Sequence, residues 1–179
     1  MSEENPWKTL DSKIVYQTPW MTVREDKVIQ PNGTSGIYGY LDLKIATGVV
    51  ALTENSEVYL VGQYRYPTRN YSWEVIEGGT EKGETPLEAA KRELKEEAGL
   101  EATDWIQLGG EIHLSNCITS EIGFIFLARD LKVVPASPDA TEILKVKKIP
   151  YDCARDMTVN GEITDALSII ALYRTAHFR

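Results

Sequence analysis

Residues 78–100 read GGTEKGETPLEAAKRELKEEAGL, and their order specifies a capped amphipathic helix. Thr85 suits an N-cap, Pro86 suits the first helical position, and Glu88 completes a capping box. Strong helix formers follow, and Gly99 stands where a left-handed residue stops the helix. Leu87, Ala90, Leu94 and Ala98 recur at steps of three and four, a narrow apolar stripe to set against a core.

The rest of that helix is acidic. Five carboxylates fall between Glu84 and Glu97, and Glu93, Glu96 and Glu97 stand at i, i+3, i+4 spacing on one side of the helix. Like charges at i, i+4 cost an isolated helix roughly 0.2–0.5 kcal/mol per pair, a sign that a bound cation reverses. Clustered oxygen ligands suit hard ions such as Mg2+, Mn2+ or Ca2+. On charge pattern alone, a solvated acidic face with Lys91, Arg92 and Lys95 as intrahelical partners explains the run equally well.

The full pattern says more than the charge. Gly78, then Glu84 after five residues, Arg92-Glu93-Leu94 after seven more, then Glu96-Glu97 and Gly99-Leu100, resembles the signature of the Nudix hydrolases at every fixed position. The resemblance implies a loop–helix–loop that binds divalent cations, Mg2+ or Mn2+, and cleaves a nucleoside diphosphate linked to another group. By that resemblance Glu93 and Glu97 are the main metal ligands, Glu96 is a further one, and the Glu77 carbonyl completes an oxygen shell. Gly78 lets the chain pass close to the ion. Arg92 resembles the family's structural arginine, which turns the glutamates inward, and Glu84 looks like its orienting partner or an outer ligand. Metals there would bridge the diphosphate and lower the pKa of an attacking water, with no covalent intermediate.

Composition agrees with one compact enzyme domain carrying an N-terminal appendage. At 179 residues and 42% hydrophobic content the chain can bury a core, and 26% charged is ordinary. A net charge of −8 argues against general nucleic-acid binding, and it leaves an anionic substrate dependent on cations. No run of about 18 apolar residues predicts a membrane span, and the acidic MSEENPWK start does not read as a signal peptide. Cys117 and Cys153 lack metal-ligand spacing and read as small, buried, reduced thiols, which suggests a cytoplasmic setting.

Along the chain, residues 1–12 read as a loose start. Alternation predicts strands at 13–18 and 21–30, a turn at Pro31–Thr34, and an antiparallel hairpin over 21–45. Further strands are expected at 48–52, 58–64, 73–76, 105–113, 122–129 and 143–149. A short helix is expected at 151–158 and another over 165–176 with Thr164 as a possible cap. Strands with helices at two separated places point to an α+β fold. The resemblance sharpens this to an α/β/α sandwich around a mixed β-sheet, with a strand-rich extension at 1–45 and the hydrolase domain at 46–179.

Residues 13–45, with Tyr16, Trp20, Tyr38 and Tyr40, resemble the N-terminal region of ADP-ribose pyrophosphatases and nucleotide-sugar hydrolases. In those relatives this region exchanges between subunits of a homodimer and helps line the site. Val61 to Pro67 and Trp73-Glu74-Val75 resemble the same branch, which makes Arg65 and Glu74 substrate contacts and adds Tyr64 and Trp20 as binding aromatics. The plain alternatives are a surface ion pair for Arg65 and core packing for the aromatics. One position departs: ADP-ribose pyrophosphatases carry a proline sixteen residues after the signature, and this chain has Asn116. Glu121, at the end of that loop, is placed to touch the terminal sugar or the metals. A late loop supplies the general base in this branch, and the available acids are Asp139 and Glu142, between which the pattern does not choose. His113 and His177 are poor competitors. The expected reaction is Mg2+-dependent hydrolysis of nucleoside diphosphate sugars, ADP-ribose among them, to nucleoside monophosphate and sugar phosphate. The alternatives are a dinucleoside polyphosphate or capped-RNA substrate, or a non-catalytic nucleotide-sugar sensor.

Overall fold

The computed structural model describes residues 4–137 and 143–178, so the candidate bases Asp139 and Glu142 lie outside the described residues. The chain divides into two compact units, one running through Lys44 and joined by His113–Ile122, the other formed by Ile45–Ile112 and Gly123 onward.

The first unit is an antiparallel meander of β1 (Lys8–Gln17), β2 (Thr22–Ile29) and β3 (Ser35–Asp42). Gly33, at φ 84, makes the β2–β3 turn. The segment 113–122 joins this sheet through Leu41, which exchanges backbone bonds of 2.9 Å with Ile118 and Ser120, and through the Tyr38 hydroxyl, which donates to the Cys117 carbonyl at 2.7 Å. The loose start expected up to residue 12 is instead strand from Lys8, because Lys8 and Thr9 extend the ladder opposite Ile29 and Val28. All ten β1 residues are exposed, so burial does not set its first residues apart from a tail.

The second unit holds two sheets. One has the order β7 (Ile76–Gly79), β4 (Ala46–Ala51), β10 (Ile122–Val133), β8 (Leu100–Gln107), with the two-residue β9 (Ile112–His113) also against β10. The β4–β10 pairing is parallel while β4–β7 and β10–β8 are antiparallel, so this sheet is mixed. The other is antiparallel, with β5 (Glu57–Arg65) between β11 (Lys145–Pro150) and β6 (Asn70–Glu74). β4 reads ATGVVA, the near-continuous apolar run of a strand covered on both faces. Val49 and Ala51 join a buried cluster with Ala90 and Leu94 of α1 (Pro86–Ala98). On the opposite face Gly48 lies against Leu167 of α3 (Ala166–Thr175). Helix, mixed sheet and helix are thus layered as expected. The remaining helix, α2 (Tyr151–Val159), is tied to α3 by the Tyr151 hydroxyl, which donates to the Leu172 carbonyl. Among the described residues no helix is long and apolar enough to cross a membrane.

α1 begins and ends where the sequence places it. Glu88 N–H donates to Thr85 Oγ1 at 3.3 Å, Thr85 N–H donates to Glu88 Oε2 at 2.8 Å, and Gly99 takes the left-handed conformation at φ 62. Other expectations are corrected. The single strand read at 73–76 is the junction of β6 and β7, where the chain leaves one sheet for the other at Val75. β8 starts at Leu100 rather than 105, because Leu100 is already buried in the core as the chain leaves Gly99. The α3 cap is Asp165, not Thr164: its carboxylate accepts the Ser168 N–H at 2.7 Å. Both cysteines are exposed; on α2 the buried stripe is Tyr151, Ala154 and Met157, and Cys153 falls outside it. Replacing the cap by Thr85→Ala should cost about 1 kcal/mol in urea unfolding, and Thr85→Ser should recover most of it; equal stability of all three would contradict the capping assignment.

Candidate functional site

Arg92, in the middle of α1, organises the acids around it. Its Nε and Nη2 donate to the two Glu84 oxygens at 3.0 and 2.9 Å, and Nη2 also reaches the Gly79 carbonyl at 2.9 Å. Nη1 donates to Glu93 Oε1 at 2.6 Å and to Glu96 Oε2 at 3.1 Å. The Glu84 bonds, with help from Glu93 and Glu96, hold this guanidinium above even its usual basicity. A planar, five-donor arginine can serve three carboxylates and a carbonyl at once, which a lysine cannot.

Gly78 explains how Glu93 comes so close to β7. A Cβ at that position would fall inside the Glu93 carboxylate. The neighbouring peptide takes part as well: Glu77 N–H donates to Glu97 Oε2 at 3.3 Å, and Thr47 Oγ1 donates to the Gly78 carbonyl at 3.1 Å. Glu97 and Thr47 are buried. Glu93, Glu97 and the Glu77–Gly78 backbone are therefore brought together, while Glu96 is held on the Arg92 side.

A second acid group lies beside the first. Arg65 forms a forked ion pair with the buried Glu74, Nε donating to both oxygens at 3.0 and 3.1 Å and Nη2 to Oε2. Burial opposes the Arg65 charge, but Glu74, with Glu77 and Glu97 further off, keeps its pKa raised. The Glu77 side chain runs the other way, where its carboxyl is enclosed against Ser168 and Asp165. Burial, then the charge and hydrogen bond of Asp165, push it well above the usual carboxylate range, with Ser168 acting against the shift. A cavity of ≈ 400 Å³ opens next to these groups, lined among others by Arg65, Asn70, Tyr71, Glu74 and Asp165. Tyr64 is exposed at the end of β5, and Trp20 and Glu121 belong to the N-terminal unit. Sequence reading passed over Thr47, Asp165 and Ser168, whose roles depend on contacts between distant segments that no local spacing encodes.

The donor set fits a hard divalent cation. Buried and half-buried carboxylates outnumber the two arginines that answer them, all the donors are oxygens, and Gly78 leaves room beside Glu93. Among the described residues no three acidic, histidine or cysteine side chains already converge as a cage, since Arg92 engages oxygens of Glu93 and Glu96.

Comparison with known proteins decides the family. The profile of the NUDIX domain matches residues 42–167, and that of the nucleoside diphosphate sugar hydrolase N-terminal domain matches residues 7–41. The chain belongs to the NUDIX family. Its relatives include an ADP-ribose pyrophosphatase of Bacillus subtilis, 27% identical over 167 residues, with 92% of this chain and 90% of the relative covered. A methanol dehydrogenase activator of Bacillus methanolicus is 28% identical over 169 residues, with the same coverage of 92% and 90%. A crystal structure of an ADP compounds hydrolase shares the fold with a TM-score of 0.86 at 23% identity, over 99% of this chain and 96% of that one. The NUDIX chain is thus a pyrophosphohydrolase, in a family that generally depends on divalent metals.

Two outcomes follow from this geometry. Gly78→Ala should displace the flexible Glu93 side chain rather than the backbone, leaving the melting temperature within a few degrees of wild type while metal-dependent turnover falls at least about tenfold; full activity would contradict the close approach. The raised Glu77 pKa also carries a sign. The folded chain retains a proton that the unfolded chain releases, so this stabilisation is complete below the ordinary carboxylate value of about 4.3 and is lost as pH rises towards the folded value. Glu77→Gln, permanently neutral, should match wild type at acid pH and melt higher than wild type at neutral and alkaline pH in EDTA; parallel melting curves across pH would refute the shift.

Proposed function

We propose that this NUDIX enzyme hydrolyses the diphosphate of nucleoside diphosphate sugars, ADP-ribose among them, in a Mg2+-dependent reaction that releases a nucleoside monophosphate and a sugar phosphate. The observation that carries the reading is the meeting of Glu93, Glu97 and the Glu77–Gly78 backbone at a point where glycine removes the side chain. Glu93, Glu96, Glu97 and the Glu77 carbonyl would hold the ion. When bound, Mg2+ neutralises charge on the diphosphate and acidifies water, and Mn2+ is expected to substitute. Water forms a new bond to one phosphorus, the bridging P–O bond breaks, and the leaving phosphate departs with the bridging oxygen. The water's proton passes to an acid of the 139–142 segment, Asp139 or Glu142.

The chain's own residues do the rest. Arg92 restrains Glu84, Glu93 and Glu96 so that they do not repel one another away from the site. Arg65 is paired with Glu74 beside the cavity they line, and exchange of that pairing for a substrate phosphate or sugar hydroxyl would place the Arg65 cation on the substrate. Tyr64 adds an exposed ring on the same strand. In the N-terminal unit, Trp20 is exposed, and Trp7, Asp26, Tyr38 and Tyr40 line a cavity of ≈ 270 Å³. Asp26 Oδ1 is buried without a hydrogen-bond partner among the described residues. Glu121 is a candidate for contact with the terminal sugar or the metals. Homodimerisation through the N-terminal unit is supported by β1, which exposes Leu10, Ile14, Val15 and Tyr16.

The test is a kcat/KM panel of ADP-ribose, GDP-mannose, UDP-glucose, diadenosine polyphosphates and capped RNA, with Mg2+ and with Mn2+. Nucleoside diphosphate sugars should lead by at least about tenfold, and Glu93→Gln and Glu97→Gln should each lower turnover by at least about 100-fold while keeping the fold. Preference for polyphosphates or capped RNA would overturn the substrate class. Retained turnover in both glutamine variants would overturn the metal assignment.

A further inference from the structure

We infer that Ser168 is a positioning residue of the proposed metal site, acting through the backbone that carries Glu77 and Gly78; this rests on the reading under Proposed function. Ser168 lies in the first turn of α3 and is wholly buried. Its backbone N–H is already satisfied by the Asp165 carboxylate at 2.7 Å, so the hydroxyl is not needed to cap the helix. The hydroxyl instead makes two bonds to a distant segment. It accepts the Val75 N–H at 3.0 Å and donates to Glu77 Oε1 at 2.6 Å.

Those two partners flank Ile76, the first residue of β7 just after the chain changes sheets at Val75. Val75 lies between the two strands, outside both ladders, and the hydroxyl supplies its acceptor. The Glu77 side chain is gripped at the same oxygen atom. The Glu77 peptide then donates to Glu97 Oε2 at 3.3 Å, and its carbonyl is the backbone ligand assigned to the ion. One buried hydroxyl on α3 therefore sets the position of a carboxylate on α1 and of the peptide facing it, with Glu77 as the intermediate. Asp165 caps α3 through the Ser168 N–H and so helps to hold Ser168 in place. The Ser168 hydroxyl is wholly buried and spends both of its bonds on this junction rather than on its own helix. Outer groups that orient ligands typically account for 10–100-fold in metal affinity or activity.

The experiment is calorimetric titration of Mn2+ into wild type, Ser168→Ala, Ser168→Thr and Thr175→Val, alongside Mg2+-activation curves with ADP-ribose. Thr175 is the control: it is equally buried on α3, and its hydroxyl bonds the Ala171 carbonyl of the same helix. Ser168→Ala should weaken Mn2+ binding and raise the Mg2+ needed for half-maximal activity by about 10–100-fold, with substrate KM at saturating Mg2+ changed less than about twofold. Ser168→Thr, which keeps the hydroxyl, should recover most of the affinity, and Thr175→Val should bind as wild type does. A Ser168→Ala protein that melts lower but binds Mn2+ with wild-type affinity has lost only a structural bond, and the inference falls. An equal loss in Thr175→Val would show a general loosening of α3 and overturn it too. If wild type itself neither binds Mn2+ nor turns over ADP-ribose, the proposed function fails and this inference with it; wild-type binding and turnover matched by Ser168→Ala sinks the inference alone.

Discussion

Carboxylates withheld from water must be answered by positive charge, by protons or by metal, and the second unit is arranged around that constraint. Glu74, Glu77, Glu93 and Glu97 all approach the junction of β6, β7 and α1, with Glu74 and Glu97 almost fully buried. Each is answered differently. Glu74 takes Arg65, Glu93 takes part of Arg92, Glu77 has its pKa pushed up by burial and then by Asp165, and Glu97 receives a backbone N–H. Breaking one partner of such a group is far more costly than forming it is favourable, so these contacts fix positions more than they add stability. A divalent ion is the remaining answer, and it suits the oxygen donors present.

The layers of the fold hold those acids in register. β4 lies between α1 on one face and α3 on the other, so the two helices that carry Glu93, Glu97 and Ser168 are referenced to one strand. Glycine is required at Gly78 because backbone and carboxylate must nearly touch. Apart from these acids, the cluster formed by Val49, Ala51, Ile76, Ala90 and Leu94 is apolar and closely buried. The chemistry is thus confined to the rim of a conventional core.

Much of this was legible in the residues. The capping box, the Gly99 stop and the apolar stripe gave α1 its bounds, because caps and 3.6-residue periodicity are local. The acids at 84, 93, 96 and 97 and the arginine at 92 were marked by their fixed order. What escaped was non-local or exposed on both faces. β1 carries no burial alternation, so its first residues resembled a loose tail. β6 and β7 merged in the reading because a change of sheet leaves no signature in four residues. Ser168 matters through Val75 and Glu77, about 90 residues away in the chain, and no local spacing near a helix start encodes that contact.

The family assignment fixes a pyrophosphohydrolase, and the local acids point to where its cation sits. The most direct measurement is a crystal structure of the wild-type chain soaked with Mn2+, read by anomalous scattering. The account predicts a peak about 2.1–2.4 Å from oxygens of Glu93, Glu97 and the Glu77 carbonyl, with Arg92 turned further towards Glu84. A Mn2+ peak elsewhere, or none at this junction at saturating Mn2+, would contradict it.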